Sequence, residues 1–328
     1  MNTQKLTWQQ SLTQAFTDMD ALCEYLQLDI NKLSVITDFK DFPLLVPRGF
    51  AQCMQIGNPD DPLLRQVLLA SAELLDFPGY SHDPVGDLQA IGVPGVIHKY
   101  HGRVLLIATG ACAIHCRYCF RRHFPYGELQ LSSQKLQQAI AYIAQRPEIT
   151  EVIFSGGDPL LLSDAKLAHI LEQLNEISHV KRIRFHSRVP VVLPERITPE
   201  LLAIFAAITK PCVLVIHANH AHELTAEFGR GCAELKKRNI TLLNQSVLLK
   251  QVNDSADVLL ELSEHLFEFG VLPYYLHLLD RTSGAAHFAV SETDALLMLQ
   301  QLREQLPGYL VPILVKEQAG AAHKIVIN

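Results

Sequence analysis

Three cysteines in the frame Cys112-Ala-Ile-His-Cys116-Arg-Tyr-Cys119 are the residues of this chain whose type and spacing point most directly to chemistry. Three thiolates on one loop suffice to ligate three irons of a four-iron cluster, leaving the fourth iron without a protein ligand and open to a bound molecule. A zinc knuckle or a chance cluster is the alternative, since His115 lies inside the loop and His123 just beyond it. Zinc, however, ordinarily takes a fourth Cys or His at a matching spacing. Cys23, Cys53, Cys212 and Cys232 stand apart in apolar surroundings and read as buried small hydrophobes. Seven cysteines, an odd number with three clustered, suit a reducing compartment and a cluster better than a disulfide framework.

The elements that must position these thiols follow from the hydrophobic pattern. From Arg103 onward, apolar strand-like runs alternate with amphipathic helices, which indicates an α/β unit with parallel strands. Strands are expected at 103–109, 151–155, 182–186, 212–217, 240–246 and 272–279, with helices at 132–145, 164–177, 199–207, 221–238 and 256–269. Six βα units are too few for an eight-stranded barrel, so a partial barrel closed by other segments is expected. A last helix at 292–305 leads to apolar runs at 311–315 and 325–327. The polar residues fall where such a barrel carries its chemistry, at the strand ends. The cysteine loop follows the first strand, Ser155-Gly156-Gly157-Asp158 the second, Ser187-Arg188 the third and His217-Ala-Asn219-His220 the fourth. Gln245 lies late in the fifth, and Asp280-Arg281 ends the sixth.

The first hundred residues read as a helical extension packed on this unit, with a helix at 8–28 and shorter pieces at 47–55 and 62–75. The expected organisation is thus an extension at 1–100, a partial barrel at 101–290 and a carboxy-terminal helix and tail at 291–328. With 328 residues, 48% of them hydrophobic, the chain can bury a large core. A formal charge of -6 gives no electrostatic case for nucleic acid or an anionic membrane. The start carries no apolar core of a signal peptide and no run is long enough to span a bilayer, so a cytoplasmic location is expected.

The cysteine spacing resembles that of the radical S-adenosylmethionine (SAM) enzymes, in which the open iron is chelated by the amino and carboxylate groups of SAM. Within that superfamily, Gly156-Gly157 with Asp158 resembles the glycine motif that holds the SAM amino group, by glycine backbone close to the ligand and exposed amides. His217 and Gln245 are then expected to face the nucleoside or methionyl part, or to be satisfied polar residues at strand ends. Tyr118 either packs beside the adenine or belongs to the core. Further stretches narrow the match: Cys116-Arg-Tyr-Cys119-Phe-Arg121-Arg122, the run from Ser187 to Thr198, Asn244-Gln-Ser-Val-Leu-Leu249, Pro273-Tyr-Tyr-Leu-His-Leu-Leu-Asp280 and Gly320-Ala-Ala-His-Lys324. From about Leu44 onward the chain resembles lysine 2,3-aminomutase, most closely the short bacterial branch that makes β-lysine for modifying translation elongation factor P.

That resemblance implies a [4Fe-4S] cluster on Cys112, Cys116 and Cys119, SAM, and pyridoxal phosphate (PLP) held covalently by Lys324. Arg103 matches an arginine that binds the PLP phosphate, with Lys99 and Tyr100 at neighbouring cofactor-facing positions. Arg121 matches the arginine that pairs with the substrate carboxylate, and Asp280 the carboxylate that binds its distal ammonium. The implied reaction moves the α-amino group of free L-lysine from C2 to C3 by radical chemistry. An electron donor such as flavodoxin, and a ligase that attaches the product to elongation factor P, are the implied partners. Two departures from the family pattern stand out. Glu317 replaces a second aspartate seven residues before the PLP lysine, which bears on reach and on product stereochemistry. The clostridial members carry a zinc-binding extension after the point where this sequence stops, so no zinc is expected and any oligomer rests on other surfaces. The competing readings are a radical SAM enzyme without PLP, an iron-sulfur electron carrier and a zinc-stabilised binding module.

Overall fold

The computed structural model describes residues 6–36, 41–129 and 131–328. The first five residues, part of the start read as lacking a signal segment, lie outside that description. Ten strands form one sheet in sequence order: β1 (Ile91–Val93), β2 (Val96–Tyr100), β3 (Arg103–Thr109), β4 (Glu151–Gly156), β5 (Arg182–Ser187), β6 (Cys212–Ile216), β7 (Ile240–Val247), β8 (Leu272–His277), β9 (Ile313–Lys316) and β10 (Ile325–Val326). From β3 to β9 every neighbour is parallel, while β1 and β2 at one end and β10 at the other turn back antiparallel. The six expected strands are therefore β3 to β8, with β9 as a seventh parallel strand. The sheet runs across both expected boundaries, at 100/101 and at 290/291. Its two ends meet through side chains, Tyr100 at the end of β2 donating to Glu317 just after β9 at 3.2 Å.

Helices cover the parallel strands because each crossover returns the chain over the sheet. They span Ser133–Ala144, Asp164–Asn175, Pro199–Ala206, Ala226–Lys236, Ala256–Glu268 and Glu292–Gln305. Each starts at a Ser or Thr whose hydroxyl accepts a backbone N–H of the first turn: Ser132, Ser163, Thr198, Thr225, Ser255 and Ser291. Such a cap contributes about 1 kcal/mol and fixes where the helix begins. Thr225 explains one difference from expectation: the stretch 221–238 splits into a short 3-10 turn, Ala221–Glu223, and a helix that starts only after the cap.

The amino-terminal extension also departs from its periodicity. The single helix expected at 8–28 is two, Trp8–Thr13 and Met19–Tyr25. Between them Phe16 exchanges backbone hydrogen bonds with Val46 at 2.8 and 2.9 Å, and Asp18 caps the second helix. The expected pieces at 47–55 and 62–75 shrink to Arg48–Ala51 and Pro62–Arg65, the latter capped by Asp61. The extension nonetheless packs as expected: Leu22, Leu26, Phe50 and Leu63 share one continuous hydrophobic cluster with Val104, Leu106, Phe154 and Phe185 of the sheet. Cys23, Cys212 and Cys232 are buried in apolar surroundings, whereas Cys53 is only partly buried. No helix among the described residues is long and apolar enough to cross a membrane.

Candidate active site

The carboxy-terminal ends of the parallel strands surround a cavity of about 240 Å³. Cys112, Cys116 and Cys119 from the loop after β3, Asp280 from the segment after β8, and Glu317 and Lys324 from the segment after β9 all line it. Arg121, Gly156, Gly157, His217 and Gln245 contribute to the same wall. Six independent segments thus deliver side chains to one space, as the strand-end pattern implies.

The cysteine loop is strapped down by the extension rather than by its own turns. His115 N and Arg117 N donate to the carbonyls of Leu45 and Gln66 at 3.0 and 2.9 Å. Arg117 within the loop and Arg122 just after it both bind the buried Glu73, with Arg117 Nε to Oε1 at 2.9 Å and an Nη2 of each to Oε2 at 2.6 Å. The histidines that kept zinc in view are engaged elsewhere. His115 Nδ1 pairs with the Pro43 carbonyl at 2.8 Å, while His123 stacks on His82 with ring centroids 4.0 Å apart. Among the described residues no group of three or more His, Cys, Asp or Glu side chains is arranged to hold a single metal ion. Burial and neighbouring thiols push the Cys112 thiol well up and that of Cys119 to about 11. Ionising Cys112 and Cys119 here therefore calls for a cationic group beside them, which the core of an iron cluster would supply.

Gly156 and Gly157 line the cavity, but the amides that follow β4 are committed to the chain itself. Gly157 N and Asp158 N donate to the carbonyls of Thr109 and Ala111 at 2.8 and 2.7 Å, so these amides are not exposed to a ligand. Gly156 sits at φ +114°, and a Cβ there would lie 2.8 Å from the Thr109 carbonyl oxygen. At Gly157 a Cβ would collide with the Ala111 carbonyl. The glycines let the loop after β4 lie directly against the start of the cysteine loop. Asp158 is likewise occupied: its carboxylate accepts from Ser187 Oγ, Arg188 N, Val189 N and Leu160 N, and so joins the ends of β4 and β5.

Tyr118 packs in a hydrophobic cluster and also lines the cavity. It is 5% exposed, packs against His217 and Phe288, and its hydroxyl meets Arg188, Asn219 and His217 at 2.6, 2.7 and 3.0 Å. Burial, with Arg188 nearby, holds the His217 imidazole neutral, at about 3.

Around Lys324 the charges are densely paired. Its Nζ donates to Glu317 Oε1; the other oxygen of Glu317 accepts from Tyr100 and lies 3.6 Å from Lys99 Nζ. Lys99 also binds Asp87 Oδ1 at 2.7 Å, and Asp87 Oδ2 accepts from Arg121 Nε at 2.7 Å. Burial would raise Glu317, but Lys324, Lys99 and Arg121 outweigh it and pull the carboxyl down to about 2. Asp280 behaves oppositely, pushed up to about 7 by burial and by the charge of Glu317. Arg103 does not reach the cavity; half-buried at the first residue of β3, its guanidinium lies over the Tyr100 ring, 4.7 Å from the centroid.

Two lining residues were not foreseen. His186 on β5 and His277 on β8 face the cavity, and burial with the nearby charge of Lys324 keeps both imidazoles neutral. The Nε2 atoms of both, and Nε of the lining Arg188, are buried with no protein partner. Unpaired buried polar atoms are costly, and three in one cavity fit a site built around polar groups that the chain itself does not supply. The sequence signal was a histidine at or next to the carboxy-terminal end of a parallel strand in both cases.

Comparison with known proteins gives a consistent result. Residues 106–262 match the model of the radical SAM superfamily. An L-lysine 2,3-aminomutase of Escherichia coli (strain K12) is 48% identical over 97% of this chain and 93% of its own length. One of Haemophilus influenzae is 45% identical over 97% and 94%, and one of Clostridium subterminale 35% identical over 90% of this chain and 75% of its own.

Proposed function

Since the chain belongs to the L-lysine 2,3-aminomutase family of radical SAM enzymes, we propose that it converts free L-lysine to β-lysine in the cavity just described. In this reading Cys112, Cys116 and Cys119 hold a [4Fe-4S] cluster, SAM occupies the space beside His217 and Gln245, and Lys324 carries PLP. When bound, cluster and SAM supply a carbon-centred radical and PLP supplies an aldehyde and a ring that shares spin. The chain's own part is to hold these groups and the substrate within reach of one another and to keep water away.

The observation that carries the reading is that Lys324 Nζ and the three thiols line a single cavity, although Cys112 and Lys324 stand at opposite ends of the catalytic unit. Asp280 awaits a cation: burial disfavours its ionised form, and an ammonium brought beside it reverses that balance. Arg121 is held by Asp87 at Nε and by Ser155 at Nη1, at 2.7 and 3.3 Å, which orients the outer edge of its fork for a carboxylate. Two charges fixed at a set separation select lysine over shorter or neutral amino acids. Lys99 and Tyr100 brace Glu317 beside Lys324, and the Arg103 guanidinium stacks on the Tyr100 ring. The product is proposed to serve modification of elongation factor P through a separate ligase, with electrons from a donor such as flavodoxin, as the motif resemblance implies.

The test is an anaerobic assay of the reconstituted protein with lysine, SAM, PLP and dithionite, followed by chiral analysis of the amino acids. β-Lysine formed only with all components is the expected result. Methionine and 5'-deoxyadenosine without β-lysine would point to another substrate. No methionine at all would leave only an electron carrier.

A further inference from the structure

We propose that Arg188 sets the reduction potential of the cluster by donating a charged hydrogen bond to the sulfur of Cys116. The inference rests on the cysteines holding an iron-sulfur cluster, as argued above, and adds a residue that the resemblance did not assign to any role.

The guanidinium is 7% exposed, and both of its outer nitrogens are committed. Nη1 donates to Cys116 Sγ at 2.7 Å and to the Tyr118 hydroxyl at 2.6 Å. Nη2 donates to Gln66 Oε1 at 2.7 Å and to Glu223 Oε2 at 3.1 Å. Its root is fixed as firmly as its tip. Asp158 Oδ2 accepts the Arg188 N–H at 2.7 Å and the next one at 3.0 Å, and the side chain passes over the Phe50 ring with its guanidinium carbon 5.3 Å from the centroid. Glu223 is wholly buried and is itself held by Gln66 Nε2 and Asn219 N, at 2.9 and 3.1 Å. The arginine therefore cannot swing off the sulfur without leaving a buried carboxylate uncompensated, a costly change.

An arginine does not lose its charge in a protein, so the donor is permanent. Hydrogen bonds to ligand sulfurs and nearby positive charge favour the more negative, reduced form of a cluster, and burial opposes it. Arg188 thus offsets the effect of seating the cluster in a largely apolar wall. Glu223 tempers that effect by cancelling part of the charge. A purely structural tie between β5 and the loop after β6 would need Glu223 but would not need contact with Cys116.

The experiment is an EPR-monitored redox titration of the anaerobically reconstituted full chain without SAM, on the unaltered protein, Glu223→Gln and Arg188→Gln/Glu223→Gln. The double variant avoids stranding a buried carboxylate. At equal iron and sulfide content, its midpoint is expected to fall by at least a tenfold change in the one-electron equilibrium, about 59 mV. Glu223→Gln is expected to move the midpoint the other way, because the guanidinium charge is then unbalanced. Midpoints that coincide in all three proteins would overturn the proposal while leaving the cluster assignment intact. Absence of iron in the unaltered protein would overturn both. Should the double variant fail to take up iron, Glu223→Gln alone decides, and no positive shift there counts against Arg188.

Discussion

Lys324 and Glu317, the residue that stands in for the second aspartate of the resembled family, form an ion pair inside the cavity. The glutamate arm, one methylene longer than the aspartate of the family pattern, reaches the lysine while its second oxygen stays with Tyr100 and Lys99. Asp280, which has no cation paired to it among the described residues, is then the carboxylate left to meet an incoming ammonium. The two acids divide the work by environment: one is held ionised by three cations, the other held back by burial.

Covalent capture of PLP should depend on Lys324 and on nothing near the thiols. Borohydride reduction of the PLP-loaded protein, followed by peptide mass analysis, is expected to place a pyridoxyl group on the peptide containing Lys324. Lys324→Ala should lose the label and retain full iron content, because the Lys324 ammonium is paired with Glu317 and not with a thiol. A labelled peptide elsewhere would refute the assignment.

The Asp280 carboxyl, pushed up to about 7, gives lysine binding a pH dependence with a definite sign. An ammonium binds the ionised form, so affinity for lysine should rise as pH increases through about 7 and level off above it. Stability of the ligand-free protein should move oppositely. A carboxyl raised above its usual 3.8 contributes stability below that value that is lost as pH rises through about 7. Asp280→Asn should abolish the pH dependence of KM and weaken lysine binding by about 2 kcal/mol or more, some thirtyfold.

Gly157→Ala tests whether the glycine pair acts through packing. The added methyl meets the backbone of Gly110 and Ala111, which have no side-chain freedom with which to yield. Overpacking of this kind costs roughly 1–3 kcal/mol and displaces the neighbouring segment. Lower iron incorporation and a lower melting temperature are expected together, with SAM affinity changed only in proportion to iron content. Loss of SAM binding at full iron content would restore a direct ligand role.

How far the sequence could be read depends on the range of the interaction. Strands β3 to β8 and the helix Glu292–Gln305 were legible because buried parallel strands are short apolar runs and a surface helix repeats its apolar residues on one face. The break at Phe16 was not, since Leu12, Phe16 and Met19 keep helical spacing across it; only the capping Asp18 hinted at a new start. The thiols and Lys324 were legible as motifs. Glu73, Asp87 and Glu223, which hold Arg117, Arg121 and Arg188, were not. Each lies 34 to 44 residues from its partner, beyond any local pattern. The glycine pair was visible, but a sequence does not distinguish an amide aimed at a ligand from one aimed at the adjoining loop.

The same long-range contacts make the extension part of the catalytic unit. Glu73 places one carboxylate between the Arg117 and Arg122 guanidinium groups, all three side chains being essentially buried, and those arginines bracket Cys119 in the chain. Removing the carboxylate leaves two like charges facing each other in a low-dielectric site, for which a loss of roughly 3–5 kcal/mol is typical. Glu73→Ala should therefore unfold at lower denaturant concentration and bind little iron, although the residue touches no thiol. Glu73→Asp keeps the charge on a shorter arm and should recover part of both. Unaltered stability and iron content in Glu73→Ala would mean that the cysteine loop holds its shape by itself, and that the extension merely covers it.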